Sequence, residues 1–241
     1  MNKHPKTVLI SAGPTIEPID PVRFISNHST GKMGYALAKA CIQAGHQVIL
    51  VSGPTQLDKP EHCKFISVQT AREMEKIMVK HFPKADIIFK VAAVADYRVK
   101  KVATKKIKKT SNTLNIPLIK NPDILKRLGK MRKSHQVLVG FAAETHQGVT
   151  FAKKKLKEKN LDWIVLNDIS GKEVGFASNN NAVVLINREG KKTAIAKQSK
   201  FKIAQKILKA VTKIPVQHKQ VIDFNKFSAV SWLKLFGLRK K

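Results

Sequence analysis

Arg23, Asn27, His28, Ser29, Thr30 and Lys32 fall within one short stretch, RFISNHSTGKMG, which closes on Gly31 and Gly34. An apolar run, Val8-Leu9-Ile10, precedes it and ends in Ser11-Ala12-Gly13-Pro14-Thr15; an alanine-rich amphipathic run follows from Tyr35. The order is strand, polar loop, helix. A glycine-bearing polar loop that opens a helix aims backbone N–H groups and the positive end of the helix dipole at one spot, which suits an anion. The same residues also read as an ordinary connection in which Ser and Thr cap the helix. The stretch by itself leaves both readings open.

Two common nucleotide-binding patterns are absent. A Walker loop needs G-x-x-x-x-G-K-[ST], but Gly31-Lys32 is followed by Met33 and Ser26 stands where the first glycine belongs. No G-x-G-x-x-G follows the first strand. P-loop phosphate transfer and a standard dinucleotide fingerprint are therefore unsupported, and a nicotinamide or flavin oxidoreductase loses its main signal. Cys41 and Cys63 have no metal-ligand spacing beyond the adjacent His62, so they read as idle thiols.

The elements that must position the loop alternate regularly. Residues 8–12, 47–51, 64–68 and 85–91 read as buried strands, with helices over 32–44, ending at Gly45, and 70–81, where Thr70 and Glu73 make a capping box. Residues 98–119 break the alternation: a basic run at 105–109 and a weakly alternating stretch with Pro117 suggest a small antiparallel excursion. Asn121 is the expected N-cap of the next helix, with Pro122 at its first position. A strand over 137–143, a Lys-rich helix over 149–159, a strand over 163–166, a hairpin of 182–186 with 193–196 turned at 188–190, and a helix capped by Ser199 complete the pattern.

The expected fold is α/β: an open, doubly wound, Rossmann-like and mostly parallel sheet with a small antiparallel excursion. Residues 1–213 form one domain, and 214–241 form a basic tail with an apolar cluster at Trp232, Leu233, Leu235, Phe236 and Leu238. That cluster reads as a terminal docking segment or a short amphipathic helix. Ligands of such sheets bind beyond the carboxyl ends of the strands. The polar loops after Ala12 and after Val91 both lie at that edge, which strengthens the anion reading.

A chain of 241 residues with 43% hydrophobic content can bury a full core. No apolar run reaches the roughly 18 residues that span a bilayer, and the start lacks a signal-peptide pattern; the expected setting is soluble and cytoplasmic, with no membrane. The formal charge of +30 and pI near 10.3 raise an alternative, a basic nucleic-acid-binding α/β protein. The charge is mostly Lys, is spread over helices and loops alike, and has no interleaved aromatic platform. A basic cleft equally suits small anions such as nucleotides.

Seven segments stand at strand ends or beside them: SAGPT at 11–15, PVRFISNHSTGKMG at 21–34, AAVADYR at 92–98, KIKK at 106–109, NPDIL at 121–125, GFAAET at 140–145 and KEKNLDWIVLND at 157–168. In this order they closely resemble the phosphopantothenoylcysteine synthetase family of coenzyme A biosynthesis, over residues 7–211. The resemblance implies a ligase that joins 4′-phosphopantothenate to cysteine through an acyl-cytidylate, releasing pyrophosphate and CMP. It implies CTP as co-substrate with Mg²⁺, a homodimer with the 98–120 excursion as a cross-subunit arm, and no nucleic acid. In many bacteria a flavin-dependent decarboxylase precedes this domain. Here the synthetase strand comes directly after Met1, which suits a stand-alone ligase and leaves room for association with a separate decarboxylase.

The resemblance also assigns residues. Asn27 and Lys106 are the implied catalytic residues: Asn27 at the acyl-cytidylate carbonyl or phosphoryl oxygens, Lys106 at the α-phosphate. Arg23, Gly31 and Lys32 join Asn27 in holding substrate, with the Arg23 fork on a carboxylate or phosphate. The nucleotide falls to Lys90, Val91 and Ala92 through their backbone, and to Asp96, Lys106, Asn121, Pro122, Asp123, Ile124, Phe141, Lys155 and Lys159. Without the resemblance Lys106 reads as part of a solvated charge run, Asn27, Asp96 and Asn121 as turn or capping residues, Phe141 as core, and Lys155 and Lys159 as two among many lysines. Two positions depart from expectation: Lys90 stands where a small or apolar residue is expected, and residues 179–181 are all Asn where acidic residues are frequent.

Overall fold

The computed structural model describes residues 4–109, 111–144, 148–168 and 178–212. The tail from 214, with its Trp232 cluster, lies outside them, as do Thr145, His146, Gly171 and Gly175.

The chain runs β1 (Thr7–Ala12), β2 (Ile16–Pro18), β3 (Phe24–Ser26), α1 (Lys32–Gln43), β4 (Gln47–Ser52), β5 (Lys64–Ser67), α2 (Ala71–His81), β6 (Ile87–Lys90), β7 (Tyr97–Val99) and β8 (Leu118–Lys120). It continues through α3 (Ile124–Met131), β9 (Val137–Glu144), α4 (Gly148–Glu158), β10 (Trp163–Asp168), β11 (Asn180–Asn187), β12 (Lys192–Ser199) and α5 (Lys200–Thr212). The main sheet has the order β12-β11-β10-β9-β6-β1-β4-β5. From β5 to β10 all neighbours are parallel, and β11 and β12 add antiparallel to the far edge.

Helices on both faces explain why β1 is buried from Val8 to Ala12 and opens with the apolar run Val8-Leu9-Ile10. On one face Leu37, Ala38 and Cys41 of α1 meet Ile203 and Ile207 of α5 over β1, β6 and β10. On the other, Met74, Leu128 and Leu156 of α2, α3 and α4 pack on Leu9, Ile88 and Ile164. Helix α1 approaches β1 closely because Gly34 faces it: a Cβ there would sit 2.6 Å from that of Ala12. The chain builds β1, β4 and β5 outward, then returns to β6 on the other side of β1. The strand order reverses there, and a crevice opens beyond the carboxyl ends of β1 and β6.

The expected capping details hold at two helices. The Glu73 N–H donates to Thr70 Oγ1 at 3.2 Å, and the Gln69 N–H donates to the Glu73 carboxylate at 2.8 Å. At α5 the Lys202 N–H donates to Ser199 Oγ at 3.3 Å. Both cysteines carry thiols raised by burial, Cys41 to about 12, in keeping with idle thiols.

Three features differ from the sequence expectations. The long loop after β1 contains a hairpin, β2 paired with β3, whose three-residue strands carry no readable alternation. In the excursion β7 and β8 pair as expected, but pairing covers only residues 118–120 of the alternating stretch; the Pro117 carbonyl accepts from the Lys100 N–H just before it. The N-cap of α3 is Asp123, not Asn121, and Pro122 therefore precedes the helix. The Asn121 amide is engaged elsewhere: it donates to the Ala95 carbonyl at 2.9 Å and accepts from Arg98 at 3.3 Å, closing the neck of the excursion.

Candidate active site

The loop over residues 91–96, beyond β6, divides the crevice, and neighbours pin it. Ser11 Oγ, buried at the end of β1, accepts from the N–H groups of Val91 and Ala92 at 3.1 and 3.2 Å. Thr15 Oγ1, also buried, accepts from the Ala95 N–H at 3.0 Å. Asn27 follows β3 and donates its amide to the Ala93 carbonyl at 3.1 Å while its side chain stays exposed. Asn27 thus sits against the middle of the loop, and its amide carries a second N–H that can donate to a carbonyl or phosphoryl oxygen in the crevice.

On the α1 side the loop borders a cleft lined by Ser29, Gly31, Lys32, Val91, Ala92, Phe141, Asn167, Asn181 and Lys200. Gly31, at φ 78°, is the N-cap of α1, and no side chain caps that end. The plain-connection reading required a Ser or Thr cap; Gly31 holds that position instead, and Ser29 Oγ accepts from its N–H at 3.3 Å. Lys32 Nζ donates to Asn179 Oδ1 at 2.8 Å, and Lys200 Nζ donates to the Ser178 carbonyl. Burial, and then the charge of Lys32, lower the Lys200 pKa to about 8. Asn167 Oδ1 is buried in the wall without a hydrogen-bond partner among the described residues.

On the α3–α4 side the loop overlies a cluster of charges. Lys90, 8% exposed at the end of β6, donates to the Ala92 carbonyl at 2.9 Å. Burial and the charge of Lys159 lower its pKa to about 8, against the opposing pull of Asp123 and Asp96. Asp123 caps α3 by accepting from the Lys126 N–H, and Lys159 Nζ lies 3.0 Å from its carboxylate. A close approach makes that ion pair possible: a Cβ on Gly129 of α3 would fall 1.9 Å from the Lys159 carbonyl. Lys155 lies one turn back, its carbonyl accepting from the Lys159 N–H. Asp96 is exposed, and its carbonyl accepts from the Asn121 N–H at 2.8 Å.

Arg23 and Lys106 stand together, apart from these two groups. Arg23, at the tip of the β2–β3 hairpin, places Nε and Nη2 on Asp20 and also donates to the Ile107 carbonyl at 3.1 Å. Its fork, expected to meet substrate, has this partner within the chain, because the Asp20-Pro21 turn folds the carboxylate back onto it. Lys106 is exposed on the segment that Ile107 anchors. Of the expected residues, then, Gly31, Lys32, Val91, Ala92 and Phe141 share the cleft, while Lys90, Asp123 and Lys159 share the charged cluster. Sequence reasoning missed Ser11, Thr15, Asp20, Asn167, Asn181 and Lys200. The strand-end rule could have found Asn167, and the Asp-Pro turn signal Asp20. Lys200 carries no local mark.

Comparison with known proteins gives the family and the fold. Residues 4–214 match the family described as the DNA/pantothenate metabolism flavoprotein C-terminal domain. The chain belongs to that family. The resemblance to phosphopantothenoylcysteine synthetases is borne out with it, and the nucleic-acid-binding alternative is not favoured. The coenzyme A biosynthesis bifunctional protein CoaBC of Bacillus subtilis is 45% identical over 213 residues, 88% of this chain and 52% of the relative. That of Vibrio cholerae is 49% identical over 187 residues, 77% of this chain and 47% of the relative. The chain thus spans about half the length of the curated relatives it matches. Among solved structures, the C-terminal domain of a CoaBC protein superposes with a TM-score of 0.74 at 40% identity, covering 87% of this chain and 96% of that one. A Cab2 mutant in complex with phosphopantothenate-cysteine, 19% identical with a TM-score of 0.68, shares the fold. No helix among the described residues is long and apolar enough to cross a membrane.

Proposed function

We propose that this domain is the ligase of coenzyme A biosynthesis that joins 4′-phosphopantothenate to cysteine at the expense of CTP. The observation that carries the reading is the 91–96 loop, which has Asn27 against its middle, an uncapped helix N-terminus on one side and the Lys90–Asp123–Lys159 cluster on the other. A reaction between two anions needs both held together and the charge building on phosphorus neutralised.

In the first step a carboxylate oxygen of phosphopantothenate attacks the α-phosphorus of CTP. The bond to the β-phosphate oxygen breaks, and pyrophosphate leaves. Lys106 stabilises the charge on the α-phosphate. In the second step the cysteine amine attacks the acyl carbon; the acyl–phosphate bond breaks, CMP leaves and the amine gives up a proton. Asn27 holds the acyl-cytidylate carbonyl for that attack. The α1 N-terminus, with Lys32, binds an anionic portion of the reactants.

Mg²⁺ fits this site as an ion carried by the triphosphate. Among the described residues no three His, Cys, Asp or Glu side chains converge, and Mg²⁺ in nucleotide sites takes most of its ligands from phosphate and water. When bound it neutralises charge on the phosphate oxygens. We further propose a cytoplasmic homodimer. Large exposed apolar residues gather on the hairpin and the excursion, at Val22, Phe24, Tyr97, Val102, Leu114 and Leu118, and these two small sheets form the cross-subunit arm. A separate flavin-dependent decarboxylase is a candidate partner.

The test is pyrophosphate release with phosphopantothenate, cysteine and Mg²⁺, run in parallel with CTP, ATP, GTP and UTP. Release with CTP foremost, with matching CMP, is expected. Absence of release with every nucleotide would sink the proposal.

A further inference from the structure

Among the described residues between 100 and 117, the segment that carries Lys106 has no regular secondary structure. An exposed lysine on such a segment would ordinarily sample many positions. Here the residue next to it is gripped on both sides of its backbone. The Ile107 N–H donates to Asp20 Oδ2 at 3.1 Å, and the Ile107 carbonyl accepts from Arg23 Nη2 at 3.1 Å. Arg23 and Asp20 bond each other through the same Nη2 and Oδ2 atoms. The three residues therefore close a ring in which an ion pair binds one peptide unit's donor and its neighbour's acceptor. A second tie lies four residues earlier, where the Ala103 N–H donates to the Ile19 carbonyl at 3.0 Å.

Asp20 is built for this task. It is buried, with no exposed side-chain surface. Its Oδ1 accepts from the N–H groups of Val22 and Arg23, both at 2.9 Å, and so shapes the hairpin turn. Its Oδ2 takes Arg23 Nε, Arg23 Nη2 and the Ile107 N–H. One oxygen folds the turn and the other receives the distant segment. The Arg23 hydrogen bond foremost, despite burial, keeps the carboxyl well below the usual carboxylate range, so the clamp stays charged throughout the neutral range.

We propose that Asp20 is a positioning residue for the pyrophosphate-releasing half-reaction, acting through Arg23 and the Ile107 backbone to fix the segment from which Lys106 reaches the α-phosphate. This rests on the ligase reading above. The chain contributes a lysine from a segment without helix or strand to support it, and the carboxylate–guanidinium ring supplies the missing rigidity.

The two oxygens can be separated experimentally. Asp20→Asn retains one carbonyl oxygen for the turn but sets an NH₂ group where Arg23 and Ile107 require an acceptor. In full-length protein, pyrophosphate release in a single turnover is expected to fall 10- to 100-fold, with the CTP concentration dependence changed less than threefold. Conversion of enzymatically pre-formed acyl-cytidylate and cysteine to the amide stays within twofold of wild type. Ile107→Pro removes the N–H and leaves the hairpin untouched; it gives the same split and guards against a folding failure of the first variant. Amide hydrogen exchange at Ile107 provides a readout independent of chemistry and accelerates at least tenfold in Asp20→Asn. Wild-type pyrophosphate release in either variant, or equal loss of both half-reactions, overturns the positioning role. Unchanged exchange at Ile107 overturns the clamp itself. Accelerated exchange in a protein that releases no pyrophosphate with any nucleotide overturns the ligase reading and with it the catalytic purpose of the clamp.

Discussion

Asp123 caps helix α3 by accepting from the Lys126 N–H at 3.0 Å, and both of its carboxylate oxygens face Lys159 Nζ, the nearer at 3.0 Å. A single side chain thus joins the start of one helix to the end of the next. Burial alone would raise the Asp123 carboxyl, but the Lys126 N–H and the Lys159 ammonium outweigh it and hold the pKa below its ordinary value. A carboxyl depressed on folding adds stability above its unfolded pKa and loses it as the pH falls through the folded value. Asp123→Ala is expected to cost about 1 kcal/mol, the usual worth of a cap. Asp123→Asn, which can still cap, costs only a few tenths, because the half-exposed ion pair contributes little. Urea denaturation at pH 7 separates the two; equal losses would show that the charge, not the cap, matters. Lys159→Met is expected to raise the CTP dissociation constant about tenfold, the effect of about 1.4 kcal/mol, without a matching loss of stability.

Lys90 makes the opposite prediction. Its folded pKa of about 8 lies below the ordinary lysine value of 10.5. The unfolded chain therefore binds more protons between these values, and stability rises with pH across that window. Below pH 8 the charged side chain carries its full burial cost, of order 3 kcal/mol, offset by about 1 kcal/mol from the hydrogen bond to Ala92. Lys90→Met is expected to be more stable than wild type at pH 7 by about 1–2 kcal/mol on that arithmetic. The difference should shrink toward pH 10, as read by chemical denaturation along a pH series. A difference that does not change with pH would remove the burial account. Taking the difference from wild type cancels the contribution of Lys200, which titrates in the same window.

Gly129 tests how the two helices set the charged side of the crevice. A methyl group there would meet the Lys159 carbonyl at 1.9 Å, so α3 and the end of α4 would have to separate. Gly129→Ala is expected to cost about 1–3 kcal/mol, the range for overpacking, despite the better helix propensity of alanine. It should also weaken CTP binding by displacing Lys159 from Asp123. Isothermal titration with CTP and a denaturation curve check both. A stabilised variant with unchanged affinity would mean that the contact relaxes freely.

The sheet was legible because its strands are covered on both faces. Val8 to Ile10, and Ile87 to Phe89, are apolar without interruption, so they read as strands without help from alternation. The crevice followed from strand order. The β2–β3 hairpin was not legible, since its strands are three residues long and each pairs with no more than the other. Asn121 and Asp123 are equally good caps by type. The choice between them depends on Ala95 and Arg98, which compete for the Asn121 amide. Asp20 is an ordinary turn aspartate by its neighbours, and its second oxygen acquires a purpose only when Ile107, 87 positions away, folds against it. Lys90 ran against the apolar expectation at a strand end; a backbone carbonyl and nearby carboxylates accommodate its charge.

Asn27 and Lys106 lie on separate supports, one against the Ala93 carbonyl and the other beside the Asp20–Arg23 clamp. Their substitutions should therefore separate the two chemical steps. On the proposed mechanism Lys106→Gln takes away the cation assigned to the α-phosphate and is expected to slow pyrophosphate release 10²- to 10³-fold, the range for loss of one charge-stabilising donor. Asn27→Ala removes the neutral amide that the proposed mechanism sets at the acyl carbonyl. It should form acyl-cytidylate at near the wild-type rate and accumulate it, with amide formation slowed to a similar degree. Rapid-quench measurements of pyrophosphate, acyl-cytidylate and CMP resolve the steps. Wild-type pyrophosphate release by Lys106→Gln would return that residue to a solvated surface charge. Failure of Asn27→Ala to accumulate the intermediate, with both steps at wild-type rates, would leave its hydrogen bond to Ala93 as a loop support alone. Because the two residues share no hydrogen bond or ion pair, the double variant should slow each step only as much as the corresponding single variant does, whereas a further loss in either step would mean that both residues act on one transition state.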